Sequence, residues 1–226
     1  MSYFVTGTDT NVGKTLIACA LLHGFAAQGQ RVIGMKPVAA GCDKFGLHED
    51  VEHLIAASNV QADKQLVNPY CFTAAIAPHI AAQQEQVTID LRHIVKSYTA
   101  LAEQVDRVIV EGAGGFVVPL NDDEDSADLA VRLGLSIILV VGLRLGCLNH
   151  ALLTAQVIAA RGLVLAGWVA NCVDENMAML DENIAALQQR ITAPMLGVVP
   201  YQAQPDAKVA ATFLHLNLLN GALAHG

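Results

Sequence analysis

The residues best suited to chemistry lie near the start of the chain, in the stretch GTDTNVGKT from Gly7 to Thr15. An apolar run precedes it and another follows, the order expected of strand, turn and helix. Glycines let backbone N–H groups face a phosphate, and the helix adds its positive dipole end. Lys14 would then reach the β- and γ-phosphates, and the Thr15 hydroxyl would bind Mg²⁺. The alternative is a tight turn beside a surface lysine.

The spacing of this stretch departs from the common phosphate-binding loop. That loop reads G-x-x-x-x-G-K-S/T, with four residues between its glycines, whereas five separate Gly7 from Gly13 here. Gly-Lys-Thr at a strand-to-helix junction nevertheless favours a nucleotide loop of a variant kind.

Further polar residues follow other apolar runs. Lys36 begins KPVAAG, Glu111 ends the run RVIVE before three glycines, and Asn171 ends GWVAN. An acid after an apolar strand is typical of a Mg²⁺ ligand in nucleotide-binding proteins, and an amide can read a base edge. The alternatives are an exposed lysine, a capping acid and a turn-forming asparagine.

Alternating patterns place these residues on one fold. Apolar runs predict strands at 3–6, 31–35, 107–110, 136–141, 163–170 and 195–199, and helical patterns cover 14–28, 89–104, 149–161 and 177–189. This alternation indicates an α/β protein with a mostly parallel sheet flanked by helices on both faces. Ligands bind such sheets at the carboxyl ends of the strands, where the polar residues lie.

Composition restricts the partners. The chain has 226 residues, 54% apolar and 15% charged, with a net charge of −8. That charge argues against nucleic acid, since phosphate backbones need a basic face. The most apolar stretch, LGLSIILVVGL, has eleven residues, fewer than the roughly 20 that span a membrane. We expect neither nucleic acid nor a membrane as partner.

Cysteine usage indicates a reducing compartment. The five cysteines are scattered and form no C-x-x-C, so we expect reduced thiols in a cytoplasmic protein. The acidic stretch NDDEDSAD lacks the glycine and glutamate of a calcium loop, which leaves a solvated acidic loop whose residues 122–125 have no assigned role. We find no zinc pattern among the eight histidines.

Eight segments resemble dethiobiotin synthetase, in order, from Val5 to Tyr201. They are VTGTDTNVGKT, KPVAAG, NPY, PHIAA, VEGAGGFVVPL, VVGLRLGCLNHALLTAQVI, GWVAN and PMLGVVPY. The five-residue spacing is this family's own form of the phosphate loop. The resemblance implies a single P-loop NTPase-like domain over residues 1–226.

The resemblance also implies a reaction and partners. ATP and Mg²⁺ would drive ring closure of 7,8-diaminopelargonate with CO₂, through a carbamate and a carbamic-phosphoric anhydride, in biotin biosynthesis. ATP is the co-substrate, Mg²⁺ the cofactor, and the family is a homodimer with active sites at the interface.

Site residues carry over by position. Lys14 and Lys36 are the catalytic residues, with Lys36 facing the carbamate, and the metal ligands are Thr15, Asp50 and Glu111. Glu49 is the alternative to Asp50. The nucleotide-binding residues are Asn11, Val12, Gly13, Lys14, Thr15, Leu16, Asp50, Glu111, Gly112, Ala113, Gly114, Asn171, Cys172, Pro200, Tyr201, Gln202 and Asp206. The substrate-binding residues are Thr10, Lys36, Ala40, Gly146, Cys147, Leu148 and Asn149, the last four acting on the other subunit's substrate.

The chain departs from the family pattern at two places. Ala40 stands where many members have a hydroxyl residue, so only backbone contact is possible there, and Asp206 lies one residue nearer to Pro200 than the pattern expects. Two other classes compete: a dimerising P-loop ATPase switch of the partition or septum-site type, and an amide-forming ligase of cobalamin synthesis. The first needs an extra lysine early in the loop, and the second a further glutaminase domain.

Overall fold

A computed structural model describes residues 2–220 of the chain. The strands are β1 (Tyr3–Gly7), β2 (Val32–Met35), β3 (Val38–Ala40), β4 (Tyr70–Phe72), β5 (Arg107–Glu111), β6 (Ser136–Leu143), β7 (Leu165–Cys172) and β8 (Met195–Val199). The α-helices are α1 (Lys14–Ala27), α2 (Glu49–Ala57), α3 (Lys64–Val67), α4 (Pro78–Gln84), α5 (Leu91–Ala102), α6 (Ser126–Leu133), α7 (Cys147–Ala160), α8 (Leu180–Gln188) and α9 (Ala207–Ala211). A 3₁₀ helix, Leu216–Asn220, follows α9.

Six of these strands form one parallel sheet in the order β2-β5-β1-β6-β7-β8. They are the six strands predicted from the sequence, and the predicted α/β fold is confirmed. Because every pair is parallel, all six carboxyl ends lie at the same edge, where ligands of such sheets bind. The central strand β1 ends there at Gly7, between β5 and β6.

Side chains of the sheet are buried on both faces. Along β1, Phe4 belongs to one apolar cluster, with residues of α5 and α6, whereas Tyr3 and Val5 belong to another, with residues of α1. Such alternation follows from the two-residue period of a strand. Burial on both faces explains why the strands read as continuous apolar runs.

A second sheet was not predicted. β3 and β4 pair in parallel beside the main sheet, with Ala39 opposite Cys71. Asn68 stabilises this region, because its buried amide donates to the carbonyl oxygens of Lys36 (2.6 Å) and Tyr70 (3.0 Å). Strands of three residues carry too little periodicity to be recognised. Five helices (α2, α3, α4, α6 and α9) were also not predicted, and the extent of one domain over residues 1–226 stays a prediction.

The acidic stretch has a structural role. Asp125 is the N-cap of α6, where its side chain accepts from the Asp128 N–H while the Asp128 carboxylate accepts from the Asp125 N–H. Arg161 pairs with both carboxylates. This reciprocal capping satisfies two N–H groups that a helix start leaves unbonded.

The cysteine prediction is wrong for one pair. Cys42 and Cys71 form a disulfide, with Cα atoms 6.0 Å apart, while Cys19, Cys147 and Cys172 are free and buried. The pairing of β3 with β4 brings the two thiols together. Because 29 residues separate them along the chain, no spacing pattern revealed the bond. A disulfide is unusual for a cytoplasmic protein.

No helix within residues 2–220 is both long and apolar enough to cross a membrane.

We predict that Cys71→Ser lowers the free energy of unfolding by about 3–4 kcal/mol, because the disulfide closes a loop in the unfolded chain and so reduces its conformational entropy. Urea titration followed by circular dichroism measures the change. Dithiothreitol should destabilise the wild type by a similar amount and leave Cys71→Ser unchanged. Equal unfolding midpoints for reduced and oxidised wild type would show that the bond contributes nothing.

Candidate active site

The turn between β1 and α1 has the geometry of an anion-binding loop. Gly13 caps the start of α1 with φ 88°, and the Ile17 N–H donates to its carbonyl at 3.0 Å. A Cβ on Gly13 would lie 2.2 Å from Nδ2 of Asn171, so the position requires glycine for space as well as for conformation. The dipole of the 14-residue helix α1 therefore begins directly beneath the loop.

Asn171 supports the loop from the end of β7. Its buried Nδ2 donates to the Val12 carbonyl at 2.9 Å. The sequence suggested that this amide reads a base edge. In the structure, its N–H₂ group holds the backbone just before Gly13, and the contact with a base stays a prediction.

Lys14 points inward toward its own loop. Its Nζ donates to the Asp9 carbonyl at 2.9 Å, and the Asp9 carboxylate pairs with Arg144 after β6. Burial, aided by the nearby Lys36 charge, lowers the pKa of Lys14 from 10.5 to about 8. An anionic ligand in the loop would restore the charged form.

A buried ion cluster, formed by Lys36, Asp50 and Glu111, lies beside the loop. Lys36 Nζ is 2.5 Å from Glu111 Oε1 and 3.0 Å from Asp50 Oδ2. Burial alone would lower the pKa of Lys36, but the two carboxylates outweigh it and raise that pKa. The same ammonium lowers the pKa of Asp50 against the opposing effect of its burial. Lys36 and Asp50 are therefore ionised at neutral pH.

Oxygen ligands for Mg²⁺ are present in this cluster. The Thr15 hydroxyl donates to Glu111 Oε1 at 2.9 Å. Glu111 Oε2 is buried and has no hydrogen-bond partner within residues 2–220. Two carboxylates and a hydroxyl are hard donors of the type that Mg²⁺ prefers. No group of three His, Cys, Asp or Glu arranged for a metal was found in the described part of the chain, so nucleotide oxygens and water would complete the coordination.

Many of the predicted site residues meet at one pocket of about 730 Å³. The predicted residues that line it are Thr10, Asn11, Gly13, Lys14, Thr15, Lys36, Ala40, Asp50, Glu111, Ala113 and Gly114. Asp50 rather than the exposed Glu49 lies in the cluster, and its role as a metal ligand stays a prediction. The lining residues that were not predicted are Val38, Ala39, His48, Ala75, Ile76, Ala77, Pro78, Gly115 and Val118.

His48 is the polar residue that sequence reasoning missed. Its Nδ1 accepts from the Asp50 N–H at 3.2 Å as the N-cap of α2. The proton must then be on Nε2, which lies 3.2 Å from the Ala40 carbonyl and donates to it. The ring thus connects the helix that carries Asp50 to the end of β3. No sequence pattern marks this residue, because both its partners are backbone groups.

The other predicted residues lie outside this pocket. Val12, Leu16 and Gly112 support the loop and the strand ends. The predicted adenine surround lies at the carboxyl ends of β7 and β8: Asn171, Cys172, Pro200, Tyr201, Gln202 and Asp206. Asp206 is used as the N-cap of α9, and the Gln202 side chain accepts from its N–H. Gly146 caps the start of α7 at φ 93°, followed by Cys147, Leu148 and Asn149.

The fold and the loop define the class: this is a P-loop NTPase-type protein. The structure resembles the septum site-determining protein MinD of Pyrococcus horikoshii, solved with Mg-ADP, at TM-score 0.56 and 16% identity, covering 96% of this chain and 89% of that one. It also resembles a ParA family ATPase of Chlorobium tepidum at TM-score 0.55 and 12% identity, covering 100% and 98%. At such low identity the likeness shows the fold alone.

Sequence comparison is more specific. Residues 1–209 match the family described as AAA domain. The chain is 55% identical to an ATP-dependent dethiobiotin synthetase of Nitrosospira multiformis, covering 95% of this chain and 94% of the relative. A synthetase of the same name from Aromatoleum aromaticum is 54% identical, covering 93% and 96%. The chain belongs to the ATP-dependent dethiobiotin synthetase family, an ATP-dependent ligase family of biotin biosynthesis, and the resemblance seen in the sequence is confirmed.

We predict that ATP binding takes up a proton between pH 8 and 9.5. Below pH 8, Lys14 is already charged. Above it, the free protein holds a neutral amine, which the phosphate charge returns to ammonium. Uptake should therefore rise toward about one proton per ATP, and affinity should fall with rising pH. Calorimetry in two buffers of different ionisation enthalpy measures the uptake.

Lys14→Arg is the matched variant, because a guanidinium stays charged throughout this range. It should bind ATP without proton uptake. Equal uptake in the variant would assign the proton to another group.

Proposed function

We propose that this protein closes the cyclic urea of dethiobiotin from 7,8-diaminopelargonate, CO₂ and ATP. The observation that supports this most strongly is a single pocket that presents both Lys14 and Lys36 next to a phosphate loop. The reaction must hold two anions together, a γ-phosphate and a carbamate. Two ammonium groups with preorganised partners supply a positive field suited to both.

The chemistry needs three steps. One amine attacks CO₂ and loses a proton, which gives a carbamate. A carbamate oxygen attacks the γ-phosphorus and ADP leaves, which gives a carbamic-phosphoric anhydride. The neighbouring amine then attacks the carbonyl carbon and loses a proton, the ring closes, and phosphate leaves with that carbamate oxygen.

The residues of the pocket act by positioning and by charge. Lys14 and the N–H groups of the loop orient the γ-phosphate, and Lys36 holds the carbamate near it. Thr15, Asp50 and Glu111 would hold Mg²⁺, which supplies further neutralisation of the phosphate charge. Glu111 Oε2, buried without a partner within the described residues, supports this assignment.

The walls of the pocket suit the rest of the substrate. Apolar side chains of Val38, Ile76, Pro78 and Val118 line it, which fits the alkyl chain of a nonanoate. Ala40 supplies backbone contact alone, and its carbonyl oxygen already accepts from His48.

Two further assignments belong to this proposal. We assign the adenine to the surround at the ends of β7 and β8, where Nε2 of Gln202 is buried without a partner in the described part of the chain. We assign the turn at 146–149 to the substrate of a second subunit in a homodimer. Leu145, 98% exposed beside that turn, supports contact with another chain. A cytoplasmic location also remains a proposal.

The test is ADP release by the purified protein with MgATP and bicarbonate, with and without 7,8-diaminopelargonate. We expect ADP only with the diamine, and dethiobiotin in equal amount. Slow ATP hydrolysis at the same rate with and without the diamine would contradict the proposal. It would favour the ATPase switch that the fold also accommodates.

We predict that Lys36→Ala lowers turnover by about 100-fold or more, because it removes the ammonium that stabilises the carbamate. The variant should still bind MgATP, since the phosphate loop is intact. Lys64→Ala is the control, because Lys64 forms an exposed pair with Glu52 away from the pocket. Normal turnover in Lys36→Ala, with a folded protein by circular dichroism, would remove Lys36 from the mechanism.

A further inference from the structure

We propose that Lys36 is the resident cation of the site formed by Asp50 and Glu111, and that its ammonium competes with a divalent cation for these carboxylates. This proposal rests on the proposed function at one point, namely that the released ammonium next contacts the carbamate. Lys36 would then be both a competitor of the metal and a residue released by it.

The geometry brings the Lys36 ammonium and a divalent cation to the same carboxylate oxygens. Lys36 Nζ lies 2.5 Å from Glu111 Oε1 and 3.0 Å from Asp50 Oδ2. A Mg²⁺ bound to those same oxygens, at about 2.1 Å, would lie no more than about 5 Å from Nζ. The side chains of Lys36 and Glu111 are only 5% and 1% exposed, so little water is available to screen the repulsion.

Charge balance couples the two events. If the ammonium left alone, the carboxylate of Glu111, whose side chain is 1% exposed, would remain buried without compensation, which is strongly disfavoured. A divalent cation replaces one positive charge with two, so the carboxylates remain compensated. The ammonium is therefore held in place until the metal arrives, and the metal binds weakly while the ammonium is present.

The surroundings indicate where the ammonium goes. Its remaining acceptor is the Gly112 carbonyl, 3.3 Å away, and Lys36 itself lines the pocket near Ala39 and Ala40. Release from the carboxylates therefore directs Nζ to the pocket, where we place the carbamate. Lys36 would thus reach the substrate only once it is released from Glu111 and Asp50, which would prevent it from acting before the site is loaded.

The test is Mn²⁺ binding to the nucleotide-free protein at pH 8, measured by electron paramagnetic resonance of free Mn²⁺. Lys36→Met should bind Mn²⁺ at least tenfold more tightly than the wild type, because the competing charge is gone. Lys64→Met changes net charge equally, at an exposed Lys–Glu pair, and should match the wild type. Adding Glu111→Gln to Lys36→Met should abolish the gain.

The inference fails if Lys36→Met binds Mn²⁺ no more tightly than Lys64→Met. If Lys36→Met does not fold, the inference can still be tested on the wild type by nuclear magnetic resonance. With ¹⁵N-labelled lysine, the resonance of the Lys36 ammonium can be assigned by its loss in Lys36→Arg. This resonance should shift as Mg²⁺ is added. An unchanged resonance at saturating Mg²⁺ would overturn the inference.

These measurements require no turnover. A wild type that makes dethiobiotin while Lys36→Met gains no affinity would leave the proposed function intact and remove the inference. Tighter Mn²⁺ binding by Lys36→Met, together with a wild type that makes no dethiobiotin, would support the inference and remove the proposed function.

Discussion

The buried contact of Lys36 with Glu111 and Asp50 is the interaction on which the rest of the site depends. Its members come from three elements: Lys36 directly follows β2, Glu111 ends β5, and Asp50 lies in the first turn of α2. Breaking such a buried pair by removing one partner costs about 3–5 kcal/mol. The parallel pairing of β2 with β5, which places Met35 opposite Val110, therefore does more than build the sheet. It brings the lysine and the acid of two distant segments to one point at its edge.

The position of the phosphate loop is likewise fixed by close contacts, in this case with β7 on the other side of β1. Gly13 fits under Asn171 without a side chain, and the Asn171 amide holds the Val12 carbonyl. Lys36 lies near enough to this loop that its charge helps to lower the pKa of Lys14. Both lysines line the pocket at this sheet edge, as the proposed transfer of a phosphate to a carbamate requires.

Much of this arrangement was predictable from the sequence, for identifiable reasons. The six strands of the main sheet are buried on both faces, so they read as apolar runs, and the residues that follow them were the ones to inspect. The family resemblance added Asp50, which the structure places in the ion cluster. Local patterns could not reveal β3 and β4, whose pairing depends on contacts made far apart in the chain. The same reason hides the Cys42–Cys71 bond and the contacts of His48 with backbone groups. The short distance between Lys36 and Glu111, 75 residues apart in the chain, likewise follows only from the folded sheet.

In the proposed function, the γ-phosphate is transferred to a carbamate rather than to water. The most direct measurement uses ¹⁸O-labelled bicarbonate, MgATP and 7,8-diaminopelargonate, with mass spectrometry of the released phosphate before the label exchanges with solvent. We expect one ¹⁸O atom in each phosphate, because the carbamate oxygen that attacks phosphorus leaves with it when the ring closes. Phosphate that carries only solvent and ATP oxygen would contradict it, since the phosphoryl group would then have gone to water.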